Sequence, residues 1–164
     1  MRRLVLLGGG IDLAITDDGK KIYFATGFAD TVKVVDVRGR RVRQSIPASK
    51  DAHSLRLTVD GRFVWTVNRL SNTIMVLEAA SNQVTRQIHE VGDKPDVVAF
   101  SFDGRTAFVS LHGTVPPDYP EFLSGSEPGL SVIDVESGRV VKKVGLEGDP
   151  HGIAVRRSAA PSGG

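Results

Sequence analysis

The 164-residue sequence predicts an all-β chain built from one repeated unit. Three observations predict it. The turns "TDDGKK", "TVDGRF" and "SFDGRT" place Gly19, Gly61 and Gly104 at intervals of 42 and then 43 residues. An apolar stretch ending in an acid follows each turn: "TVKVVDV" with Asp36, "NTIMVLEA" with Glu78 and "LSVIDVESG" with Asp134. The first two acids are again 42 residues apart, and the third comes 56 later because about 13 residues are inserted before it. Self-similarity at such a period marks stacked repeats, each too small to bury its own apolar face.

Each unit divides into four short strands. In the second they are "SLRLT" (54–58), "FVWTVN" (63–68), "TIMVLEA" (73–79) and "VTRQIHE" (84–90), picked out by alternation or short β-branched runs. Asp60-Gly61 supplies the tight turn between the first two, because glycine tolerates the positive φ that such turns impose. No segment carries sustained helical periodicity with caps. Four-stranded antiparallel units of this length are the signature of a β-propeller blade, with strands A to D running from the central channel outward.

The remaining elements follow by alignment. The start, "MRRLVLLGGG" (1–10), matches "TRQIHEVGDKP" and reads as the outer strand of a preceding blade; its apolar run, 4–7, is too short for an export signal. Blades are expected at 11–47, 48–91 and 92–147, the last with a long insertion at 112–129. "GDPHGIAVRR" (148–157) matches "GDKPDVVAFS" and reads as the inner strand of an incomplete blade, and "SAAPSGG" (158–164) as a flexible tail. Three and a half blades fall short of the roughly 4–8 that close a ring. The expectation is therefore a piece of a longer propeller of about seven blades, or copies that associate as a homo-oligomer to bury open faces.

"WTVNRLSNTIMVLEAASNQVTRQI" (65–88) resembles the YVTN-type propeller repeat, in which Tyr-Val-Thr-Asn, a short loop and Asn-Thr-Val lead into an apolar strand ending in Ile-Asp. Trp65, Thr66, Val67 and Asn68 occupy the tetrad, and Asn72-Thr73 follow at the right distance. "YFATGFADTVKVVDV" is a looser copy and "FVSLHG" a looser one still. The resemblance implies a periplasmic or cell-surface setting. It extends to the propeller domains of haem-containing nitrite reductases and quinone-linked amine dehydrogenases, which makes a metal- or cofactor-dependent oxidoreductase the alternative to a binding or scaffolding role. The chain lacks a haem-attachment motif, and the sequence itself requires no cofactor.

Composition narrows the partners. Lys+Arg 21 against Asp+Glu 19 gives a net charge of +2, and the basic clusters have no interleaved aromatics for base stacking, which argues against nucleic acid. Cysteine is absent, so disulfides, thiolate metal sites and cysteine nucleophiles are excluded. No apolar run approaches the ~20 residues of a membrane helix. His89-Glu90 lacks the second histidine of a zinc-protease motif, and no Gly-x-Ser-x-Gly elbow is present. A Ser-His-Asp hydrolase and a zinc protease therefore have no local support, and a protein, peptide or small ligand is the expected partner. Phe63, Trp65, Phe100, Phe102 and Phe108 read as blade-to-blade packing, and Asp36, Glu78 and Asp134 as turn hydrogen-bond acceptors.

The D–A and B–C loops share one face of a propeller, and that face holds the unusual residues. Equivalent positions at the mouths of successive A strands hold Ile11, His53, Asp96 and His151. His112 opens the long B–C loop "HGTVPPDYPEFLSGSEPG" (112–129), which also carries Asp118 and Tyr119. A-strand mouths surround the channel, so His53, Asp96 and His151 are expected to converge with His112. Imidazoles with a carboxylate suit a divalent transition metal, or an anionic ligand when protonated. His53, Asp96 and His151 are the metal candidates; Asp118 and Tyr119 are further ligand-binding candidates.

Overall fold

A computed structural model describes residues 9–157. Twelve strands form three four-stranded antiparallel sheets in simple meander order. The first blade comprises β1 (Asp12–Ile15), β2 (Lys21–Thr26), β3 (Thr31–Asp36) and β4 (Arg41–Pro47). The second comprises β5 (Ala52–Leu57), β6 (Phe63–Asn68), β7 (Thr73–Glu78) and β8 (Val84–Ile88). The third comprises β9 (Pro95–Phe100), β10 (Thr106–Leu111), β11 (Gly129–Asp134) and β12 (Val140–Gly145). The inner strands pack side by side, β1 on β5 and β5 on β9, as strands around a common axis must. No helix among the described residues is long and apolar enough to cross a membrane.

The repeated turns are built identically. Thr16, Thr58 and Ser101 each donate a hydroxyl to the aspartate two residues on, Asp18, Asp60 and Asp103, at 2.6–2.7 Å. The same three residues accept, through their carbonyls, the N–H of Gly19, Gly61 and Gly104 at 2.8–2.9 Å. These glycines have φ of 67–71°, the left-handed region the turn requires. The strand-end acids close the C–D turns: Asp36 accepts the Gly39 N–H, Glu78 the Ser81 hydroxyl, and Asp134 both donors of Ser137.

Packing explains the sequence pattern. The middle blade is covered on both faces, so successive residues of one strand serve different cores. Val64, Met75 and Leu77 join Tyr23, Val32 and Val34 of the first blade. Trp65, Val67, Ile74 and Val76 join Val98, Ala107, Val109 and Ile133 of the third. This two-sided burial is why β6 and β7 are apolar almost throughout, whereas β11 alternates. In the end blades, Leu13 and Ile15 are half-exposed on β1, and Val141 and Val144 are exposed on β12.

Two expectations are corrected and two fall outside the described residues. Residues 148–157 form no strand with the described residues; Ser110 Oγ instead donates to the His151 carbonyl at 3.2 Å. Phe102 is half-exposed in the A–B turn rather than packed between blades. The outer strand expected at 1–10 lies almost wholly, and the tail at 158–164 wholly, outside the described residues.

Candidate functional site

The inner-strand mouths are shaped by bulges. The β5–β6 register shifts between Ala52 and Ser54, which makes His53 the extra residue. The β9–β10 register shifts between the Leu111–Pro95 and Val109–Val98 pairs, leaving Asp96 and Val97 opposite Ser110 alone. Ser110 Oγ accepts the stranded Val97 N–H at 3.1 Å. A bulge turns its residues out of the regular pleat, and here it sends His53 and Asp96 toward the channel. Asp51 and Lys94, which precede the two strands, share a left-handed conformation, φ 58° and 48°. Their carbonyls accept the N–H of Arg69 and His112, which anchors each B–C loop to the D–A loop of its own blade.

Four of the residues singled out in the sequence meet at one point. Asp96 is 2% exposed and His112 is 2% exposed. Asp96 Oδ1 lies 3.0 Å from His53 Nε2 and 3.2 Å from His112 Nε2, and Asp96 Oδ2 lies 3.1 Å from His151 Nδ1. The His112 and His151 rings meet edge to face, centroids 4.4 Å apart. Asp118 and Tyr119 do not join them. Both are exposed on the long loop, which folds on itself through Tyr119 N–H to the Pro116 carbonyl and is tied down by Ser126, whose N–H and hydroxyl both donate to Asp93 Oδ2 at 2.9 Å. His89 is exposed beyond the end of β8.

Three residues complete the site that the sequence reading did not single out. Asp149 Oδ1 lies 2.9 Å from His112 Nδ1, and its Oδ2 lies 2.9 Å from His151 Nε2. Asp51 Oδ1 lies 3.5 Å from His53 Nδ1, while its Oδ2 accepts from Arg69 Nε at 2.7 Å. Arg69 is nearly buried, and its Nη1 stands 3.5 Å from His112 Nε2. The repeat held the signal: Arg69 and His112 follow strands β6 and β10 at equivalent places, 43 residues apart.

The electrostatics follow from burial and charge. Burial alone would raise the Asp96 carboxyl, but His112 and His53 outweigh it and hold it well below the usual carboxylate range. Burial likewise opposes ionisation of Asp51, yet His53 and Arg69 lower it. Burial would lower the His53 imidazole, but Asp51 and Asp96 overcome that and raise it. A cleft lined by Thr58, Asp60, Arg62, Asp103 and Arg105 among others opens at the opposite ends of the strands.

The YNCE-like beta-propeller family model matches residues 8–161. The chain belongs to that family. Among solved structures it is similar to Kuenenia stuttgartiensis hydrazine synthase, with 24% identity and a TM-score of 0.72 over 84% of this chain and 37% of that one. It is also similar to the WD40 repeats of RRP9 (19% identity, TM-score 0.73, 90% of this chain and 42% of that one) and to U3-55K (18%, 0.73, 90% and 43%). The chain therefore spans about two fifths of the length of these relatives, and at such identities the likeness is one of fold. No curated protein matches it.

Proposed function

We propose that this YNCE-like propeller chain serves as a binding module, engaging a protein, peptide or small ligand through the face that carries its D–A and B–C loops. One observation carries the reading: the buried side chains of Asp51, Arg69, Asp96 and His112, from two blades, converge at the inner-strand mouths, where the 148–151 segment meets them. Gathering carboxylates and imidazoles out of water opposes folding unless something recovers the cost. The fold does not demand them, since the equivalent position in the first blade is Ile11. The turns on the opposite face are short hairpins that hydrogen-bond mainly within themselves.

Thermal-shift screening of the full chain against a library of peptides and small metabolites tests this reading. Hits should lose about tenfold or more in affinity, or ~1.4 kcal/mol, in His53→Ala and Arg69→Ala, and be unchanged in Arg105→Ala on the opposite face. Hits that depend on Arg105 and ignore His53 and Arg69 would overturn it.

A further inference from the structure

We propose that Asp96, His112 and His151 form a binding site for a divalent transition metal ion, with Asp149 as the residue that orients both imidazoles. This rests on the binding face described above and names what that face holds.

His112 Nε2 faces Arg69 Nη1 at 3.5 Å, and its Nδ1 lies 2.9 Å from Asp149 Oδ1. His151 Nε2 meets the other oxygen of Asp149 at 2.9 Å, and its Nδ1 meets Asp96 Oδ2 at 3.1 Å. One carboxylate thus stands behind both rings, and the opposite nitrogens turn to Asp96. His53 repeats the pattern, with Nδ1 toward Asp51 and Nε2 toward Asp96 Oδ1. Metal-bound histidines are held in this way, the outer nitrogen on a carboxylate and the inner one on the ion.

The geometry agrees. The donor atoms of Asp96, His112 and His151 lie within 4.8 Å of one another. Donors around a tetrahedral ion with bonds of ~2.0–2.1 Å sit about 3.3 Å apart, and the nitrogens stand 3.0–3.2 Å from the Asp96 oxygens. Hydrogen bonding suits the His151 Nδ1–Asp96 Oδ2 contact too, but the other oxygen of Asp96 is different. Asp96 Oδ1 is buried and has no aligned hydrogen-bond partner despite three nitrogens around it. A buried carboxylate oxygen left so is an unmet acceptor, which an ion satisfies. Charge agrees as well: the carboxylates of Asp51, Asp96 and Asp149 face a single guanidinium, that of Arg69. Imidazole nitrogens with one carboxylate favour an ion such as Zn²⁺ over Ca²⁺ or Mg²⁺, which prefer oxygen.

Calorimetric titration of the full, chelator-treated chain with Zn²⁺, and with Co²⁺ followed by its visible absorption, tests the proposal. One ion should bind per chain, with Co²⁺ showing the intense bands of low coordination. His151 is largely exposed, so His151→Ala should fold normally and lose about 100-fold in affinity; Asp149→Asn should lose about 10–100-fold while the Co²⁺ spectrum changes. No binding to the wild type, or binding unchanged in both variants, would overturn the proposal. Library ligands that require His53 and Arg69 in chelator, found together with no Zn²⁺ binding, would leave the binding face standing and remove only the metal; Zn²⁺ binding with no such ligand would do the reverse.

Discussion

Trp65 meets Phe100 edge to face, ring centroids 5.3 Å apart and planes at 82°, and this contact joins the second blade to the third. Arg86 lies over the other side of the joint, its guanidinium donating to the Val135 and Glu136 carbonyls while covering the indole. Trp65 is 1% exposed, so truncation leaves a cavity that neighbouring strands cannot fill. Trp65→Ala should cost about 3–5 kcal/mol in denaturant unfolding. A loss below ~1 kcal/mol would mean that the two blades are not packed through this residue.

Tyr23 holds the corresponding place in the first blade and is fully buried. Its hydroxyl bridges to the second blade, bonding Asn82 Oδ1 at 2.7 Å and the Ala79 carbonyl at 2.9 Å. Burial pushes the phenol up to about 12. The folded state therefore favours the neutral form. The stability this confers is complete below the unfolded value near 10 and is lost as pH rises from there toward 12. Tyr23→Phe should cost about 1 kcal/mol at neutral pH, and the gap should narrow above pH ~10. Ultraviolet titration should show one of the two tyrosines ionising late. A gap that widens in alkali would contradict the burial.

The blades were legible because their marks are local and repeated. Gly19, Gly61 and Gly104 adopt the positive φ that their spacing predicted, and β6 falls at the expected residues. His53, Asp96 and His151 were legible through alignment alone, since repeats place equivalent residues around one axis. Asp118 and Tyr119 were not, because a loop's own hydrogen bonds, such as Ser126 to Asp93, decide where it lies. Arg69 and Asp51 were missed for a different reason: charged residues in loops ordinarily face water, and nothing in one sequence shows that these two satisfy each other in a buried pair.

Asp93 fixes the long loop by accepting both Ser126 donors, and it also receives Asn72 Nδ2 at 3.4 Å. Asp93→Ala removes the anchor but leaves the sheets intact. Limited proteolysis should then cut within 114–124 several-fold faster, while unfolding free energy changes by about 1 kcal/mol or less. Cleavage at the wild-type rate would show that the loop is held by its other contacts, such as Gly125 N–H to the Gly113 carbonyl.

Gly113 couples that loop to the site. Its N–H donates to Asp149 Oδ1 at 2.8 Å, and a Cβ here would press directly on the Gly148 carbonyl, a backbone atom that cannot swing aside. Gly113→Ala must therefore push the 148–151 segment away from His112. That separates Asp149 and His151 from the imidazole they meet, without touching the packing around Trp65. Ring signals of His112 and His151 should shift in histidine NMR spectra, while those of exposed His89 stay in place as an internal reference. The cost in stability should be about 1–3 kcal/mol, as for other overpacked positions. If all four histidines keep their shifts, the 148–151 segment does not sit against Gly113, and Asp149 cannot be what orients His112.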